Sequence, residues 1–198
     1  MLPCGHAELR APGGRVLFVR ERRGWATETT DPTTTAPWIW WRGERHQIRV
    51  VPGGFVPAFR TVRLLPGVLV VAVSRRCALS PEATLQEWLQ ARAREDLTSR
   101  VALRGREMGQ LPRRLSVRGQ KTRWGCCTGR GTVTLNWRLV MAPPEILDYV
   151  VVHELAHLTE PHHRPPFWRR VEAFCPEWRR WRRWLRDFGS QLTVPALS

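Results

Sequence analysis

The amino-acid sequence predicts an α+β fold, in which a mostly antiparallel sheet packs on a central helix and further helices follow at the C-terminal end. Three observations predict it. Short β-branched and aromatic runs separated by turn residues fill positions 38–73. A long amphipathic pattern opens with helix-capping residues at Ser80, and an apolar stretch over 149–158 reads as a buried helix.

Residues 1–23 hold one strand-like run, Val16-Leu17-Phe18-Val19, among glycines and arginines. Residues 26–37 form a polar, Thr- and Pro-rich tract without periodicity, which reads as a linker. Next, Trp38-Ile39-Trp40-Trp41, Gln47-Ile48-Arg49-Val50-Val51 and Val68-Leu69-Val70-Val71-Ala72-Val73 are strand-like. Gly43, Pro52-Gly53-Gly54 and Pro66-Gly67 punctuate them, so an antiparallel meander is expected.

Ser80-Pro81-Glu82 supplies a cap, a first-turn proline and an early carboxylate, and Leu85, Trp88, Leu89, Leu97 and Val101 give an apolar stripe to about Met108. A strand opens at Leu115-Ser116-Val117. A basic, glycine-rich connection over 118–131 leads to an alternating run, 132–139, with Val133, Leu135, Trp137 and Leu139 on one face. Ala142-Pro143-Pro144-Glu145 ends that strand and starts the apolar helix. After Pro176, Trp178, Trp181, Trp184, Leu185 and Phe188 recur at helical spacing up to Gly189, interleaved with arginines. The chain therefore divides into an N-terminal segment (1–37), a meander and long helix (38–110), a core with the apolar helix (111–190) and a tail (191–198), with 38–190 expected to form one domain.

Composition narrows the setting. The net charge of +15 over 198 residues comes almost wholly from arginine, since Lys121 is the sole lysine. Such a field favours nucleic acid, phosphate-bearing or acidic partners without specifying one. Five scattered cysteines do not form a disulfide framework, which points to a reducing cytoplasm. Pro3, Gly5, His6 and Glu8 break any secretory leader, and the aliphatic run 68–73 is too short to span a bilayer, so no membrane role is expected.

The chemistry is concentrated in His153-Glu154-Leu155-Ala156-His157. On a helix, His153 and His157 lie one turn apart on the same face and can share one divalent metal. Glu154 sits one residue further round, able to reach a water on the metal without ligating it. A zinc ion with an open position lowers the pKa of its water to about 7, and a nearby carboxylate can take the proton as the water attacks a carbonyl. Two histidines and a glutamate inside an apolar helix are costly to bury unless something compensates them, and Zn2+ would. Imidazole ligands also admit iron, nickel or copper.

A third ligand is expected beyond Pro161, where the chain must leave the helix. His162 and His163 both lie on that loop, and His163 has a ten-residue spacing from His153 that a helix, a turn and a returning loop can satisfy. Glu172 remains a further candidate, as ligand or as a partner to one.

Several motifs together resemble one family. Arg123-Trp124-Gly125-Cys126-Cys127, Leu135-Asn136-Trp137-Arg138-Leu139, Ala142-Pro143-Pro144-Glu145, Asp148 through Leu158, His163, Phe167-Trp168 and a late Trp-Leu-Arg resemble the YgjP-like zinc metallopeptidases, relatives of SprT-like and WLM proteases. The match runs from about Trp38 to Gly189. Cys126 stands where the family pattern resembles a serine, and the family's first strands are poorly reproduced before Trp38. The resemblance implies a compact zincin with zinc on His153, His157 and His163, Glu154 as general base, and a peptide or protein substrate.

A strand over 133–139 at a sheet edge would let an extended peptide pair with it, with Asn136 or Arg138 facing the substrate. Two other functions use the same residues differently. One is a metal-dependent hydrolase of nucleotides or other phosphate compounds. The other is a basic nucleic-acid-binding protein with a vestigial metal site, in which the Trp/Arg helix stacks on bases. A tryptophan face that closes the core explains the same periodicity more simply.

Overall fold

The computed structural model describes residues 36–53 and 60–197. The expected strand at Val16–Val19 and nearly all of the linker over 26–37 lie outside them. Among the described residues, seven strands and four α-helices form an α+β arrangement with two mixed sheets.

The first sheet contains β1 (Trp38–Trp41), β2 (Glu44–Pro52), β3 (Arg60–Leu65) and β4 (Val68–Val73), in the order β1-β2-β4-β3. β1 and β2 form a hairpin across Arg42-Gly43, both at positive φ (49° and 84°). That matches a tight two-residue hairpin turn, where glycine removes the steric cost at one of its two positions. The expected meander is corrected here. β2 pairs in parallel with β4, because an additional strand, β3, takes the sheet edge and returns antiparallel onto β4. β3 was not expected because most of it is exposed and two arginines interrupt its apolar pattern.

Ser80 caps α1 (Pro81–Glu107), its hydroxyl accepting from the Ala83 amide at 3.2 Å. Leu85, Leu89, Ala93, Leu97 and Val101 recur every fourth residue and are buried, so one stripe of α1 packs on the first sheet and on the helix that follows. The last residues return to the start of α1, where the Leu197 amide donates to Glu82 Oε1 at 2.6 Å and Leu192 and Leu197 are buried.

The second sheet is built from β5 (Arg114–Arg118), β6 (Gly125–Cys127) and β7 (Thr132–Asn136), in the order β5-β7-β6. β7 ends three residues earlier than its alternation suggested. The Asn136 side chain accepts from the Arg138 amide at 3.1 Å and starts a 3-10 turn over Trp137–Met141, which buries Trp137, Leu139, Val140 and Met141.

α2 (Pro144–Ala156) follows with Pro144 in its first turn and is buried over almost its whole length. α1, α3 (Pro165–Phe174), α4 (Trp178–Phe188) and β6 all pack against it. Its polar residues are compensated in different ways. Asp148, 8% exposed, accepts from Arg104 Nε at 2.9 Å and from its Nη2 at 2.6 Å, with Arg100 at 3.3 Å, which ties α2 to α1. The Leu155 carbonyl near the end of α2 accepts from Gln110 Nε2 at 2.6 Å.

α4 turns Trp178 and Leu185 into the core, and Trp181 and Trp184 pack partly against it. Arg179 and Arg180 lie over Trp178 and Trp181, at 4.5 and 4.7 Å from the ring centroids. No helix among the described residues is long and apolar enough to cross a membrane.

Candidate metal centre

α2 delivers the first two histidines. His153 lies in its last turn and His157 is its C-cap, so both rings leave the same side of the helix. The chain then breaks at Pro161 and returns. His163 swings back and places its Nε2 3.0 Å from His153 Nε2 and 3.0 Å from His157 Nε2. His153, His157 and His163 are the only group of three or more candidate ligands that converge among the described residues.

Aromatic packing sets the ring orientations. Phe167, fully buried on α3, stacks on His157 at 4.4 Å and meets His153 and His163 edge-on at 4.9 and 4.7 Å. Trp168 stacks on His163 at 5.5 Å, rests on Trp178 at 4.1 Å, and donates from Nε1 to the His163 carbonyl at 3.2 Å. The third histidine is therefore fixed by the residues that immediately follow it.

This arrangement fits a metal ion. Nitrogens about 2.0–2.1 Å from a tetrahedral ion lie about 3.3 Å from one another, close to the two contacts of 3.0 Å. His163 Nε2 has a single in-plane orbital, so it can donate or accept along one of these contacts and not both, whereas a cation takes the lone pairs of all three nitrogens at once. His157 Nδ1 lies 3.0 Å from the Glu160 carbonyl, where an Nδ1–H donates and leaves Nε2 free to ligate. Burial, reinforced by the other two histidines and Arg182, pushes His153 down to about 3, and burial also lowers His163. Both are held as neutral imidazoles, the form that binds a metal.

Glu154 completes the centre. It is 6% exposed, its Oε2 has no hydrogen-bond partner, and burial pushes its carboxyl up to about 7. Its neighbour across the gap is the backbone of β6. A methyl group on Gly125 would lie 2.6 Å from Glu154 Cγ and Oε1, so any side chain there displaces the carboxylate or β6. The same burial, with the Glu154 charge, raises the Cys127 thiol. Beside His153 and Glu154, a cavity of about 360 Å³ opens between β6, α2 and α4, with Trp124, Tyr149 and Leu185 among its walls.

Several expected site residues lie elsewhere. His162 is exposed and outside the cluster, and Glu172 is exposed with its carboxylate paired to Arg179 at 2.6 Å. Asn136 is 2% exposed and spends its side chain on the Gln120 and Arg123 carbonyls and the Arg138 amide. The Arg138 guanidinium lies over Trp137 at 4.9 Å. β7 runs between β5 and β6, so it offers no free edge, and the idea of a peptide pairing with it is withdrawn. Arg123, Trp124, Gly125 and Tyr149 stand in the motifs that carry the family resemblance, but the sequence reading gave them no place in the site. Those motifs, with the helical spacing of Arg182, Leu185 and Arg186 on α4, are the signals that could have placed this wall.

The YgjP-like metallopeptidase domain matches residues 18–188, beginning well before Trp38. The chain belongs to the YgjP-like metallopeptidase family. A member of this family is expected to use a divalent metal and a peptide substrate, and the histidine cluster is a group able to hold such a metal. Among solved structures, this YgjP-like chain is similar to the metallopeptidase zymogen abylysin of Pyrococcus abyssi. The identity is 25% and the TM-score 0.37, over 52% of this chain and 94% of that one. No curated protein matches it.

Proposed function

We propose that this protein is a zinc-dependent peptidase, with His153, His157 and His163 as metal ligands and Glu154 as general base. One observation carries the reading: three imidazole nitrogens converge beside a buried, unpartnered carboxylate at the mouth of a cavity. A zinc ion bound there supplies a Lewis acid and a water of lowered pKa.

The chain's own residues do the rest. Phe167 and Trp168 lock the rings so that their Nε2 atoms point at one place. Glu154, buried and with no hydrogen-bond partner at Oε2, takes the proton from the attacking water and hands it to the leaving amine. A purely structural metal would not need an unpaired carboxylate kept at such a cost next to its ligands.

β6 is the strand suited to hold substrate. It pairs only with β7, and its Gly125 lines the cavity, so its unpaired edge can add an extended peptide as a further strand.

The test compares metal content and turnover in wild type and Glu154→Gln against peptide and nucleotide panels. The reading expects metal retained in both, peptide cleavage by wild type and at least hundredfold less by the variant, in line with loss of a general base. Phosphate release from nucleotides without peptide cleavage would refute it.

A further inference from the structure

The cavity beside the metal ligands has charges that neither metal binding nor proton transfer uses. Arg123, just before β6, and Arg182 and Arg186 on α4 converge on it from separate parts of the chain. Their surroundings differ. Arg186 is neutralised in part by Asp187 at 2.9 Å, whereas neither Arg123 nor Arg182 pairs with a carboxylate among the described residues. Arg182 is also held in place: its guanidinium lies over Trp168 at 5.4 Å, and its charge acts on His153, His163 and Tyr149.

Arginines on a surface helix usually face bulk water and need no partner. Arg123 and Arg182 are exposed as well, yet both line a concave site whose only carboxylate is Glu154. Two uncompensated guanidiniums against one buried acid leave the pocket positive even when Glu154 is ionised. Trp124, Tyr149 and Leu185 supply apolar walls that reduce screening and suit the methylenes of a side chain. A guanidinium fork matches a carboxylate in geometry as well as charge.

We propose that this pocket binds a carboxylate of the peptide substrate next to the scissile bond, with Arg123 and Arg182 as the recognising groups. The assignment rests on the peptidase reading and adds a substrate preference to it. The carboxylate can come from an acidic side chain or from a free C-terminus. Both are the same chemistry at the pocket, and the experiment separates them.

Binding is measured by fluorescence anisotropy with zinc-loaded Glu154→Gln protein, so that turnover does not intervene. One pair of labelled peptides is capped at both ends and differs only by Glu against Gln. A second pair has neutral side chains and differs by a free against an amidated C-terminus. At low salt the carboxylate-bearing member of at least one pair binds about tenfold more tightly, the effect of one well-placed charge contact. The preference shrinks at high salt and falls to about twofold or less when Arg123→Gln and Arg182→Gln are added. Arg183→Gln, which removes a charge outside the pocket, leaves it in place.

A preference in the first pair assigns the pocket to acidic side chains, and one in the second assigns it to the C-terminus. Equal binding within both pairs, or a preference that survives the double substitution, overturns the proposal while the peptidase reading stands. No binding of any peptide, together with no peptide cleavage by wild type, overturns both.

Discussion

Replacing Gly125 with alanine probes the join between the second sheet and α2, where the proposed general base sits. The added methyl would lie 2.6 Å from Glu154 Cγ and Oε1 and 2.8 Å from Cδ, against about 3.4 Å for ordinary contact. The carboxylate must therefore retreat by about 0.8 Å, or β6 must. A displacement of about 1 Å in a catalytic group costs about a hundredfold in rate, or about 2.7 kcal/mol of barrier. The three atoms nearest the methyl all belong to Glu154 and none to a histidine ring, so metal content should stay at the wild-type level. Overpacking adds a stability loss of about 1–3 kcal/mol. Gly129→Ala, on the same connection but with nothing within 4 Å of its added methyl, is the matched control and should behave as wild type. The assay is kcat/KM on a peptide that wild type cleaves, beside zinc content and a denaturant melt. Wild-type turnover in Gly125→Ala would refute the claim that glycine is required for Glu154 to sit where it does.

Other expectations follow from the same contacts. Asp148→Ala leaves Arg104 with Glu107 as its one carboxylate partner and takes that of Arg100, and should cost about 1–3 kcal/mol in urea denaturation. Phe167→Ala opens a cavity against all three histidines. It should cost about 3–5 kcal/mol in stability and weaken zinc binding about ten- to a hundredfold in competition titrations. Glu154 gives a pH effect in metal-free protein. Its carboxyl titrates near 4.5 when unfolded and about 7 when folded, so the folded state holds the extra proton between those values. Stability is thus fully present below 4.5 and lost as pH rises through about 7, by up to about 3 kcal/mol for a rise of about 2.5 units. Glu154→Gln removes that loss, and should melt higher than wild type at pH 8 but not at pH 4.5.

How far the residues announced this structure depended on whether the signal was local. His153, Glu154 and His157 were readable because helical spacing alone sets their geometry, and Pro161 marked where the chain had to turn back towards His163. The choice between His163, His162 and Glu172 was not local, since it is made by Trp168 and Phe167 gripping one ring. β6 was missed because three residues beginning with glycine carry no periodicity, yet its backbone is what confines Glu154. The alternation through Trp137 and Leu139 misled because a 3-10 turn buries those same residues once Asn136 has capped it. The parallel pairing of β2 with β4 depended on the exposed strand β3, whose arginines resemble a loop. Arg123 and Arg182 lie far apart in sequence, and only the fold makes them one pocket.

In the proposed centre three imidazoles hold one zinc ion and leave a position open. X-ray absorption at the zinc edge of the purified protein tests it directly. Three imidazole nitrogens at about 2.0–2.1 Å are expected, with a light oxygen scatterer completing the shell. Loss of the ion is expected in His163→Ala and not in His162→Ala. Sulfur at about 2.3 Å, which would bring in Cys126 or Cys127, or a fourth protein ligand closing the shell, would contradict it.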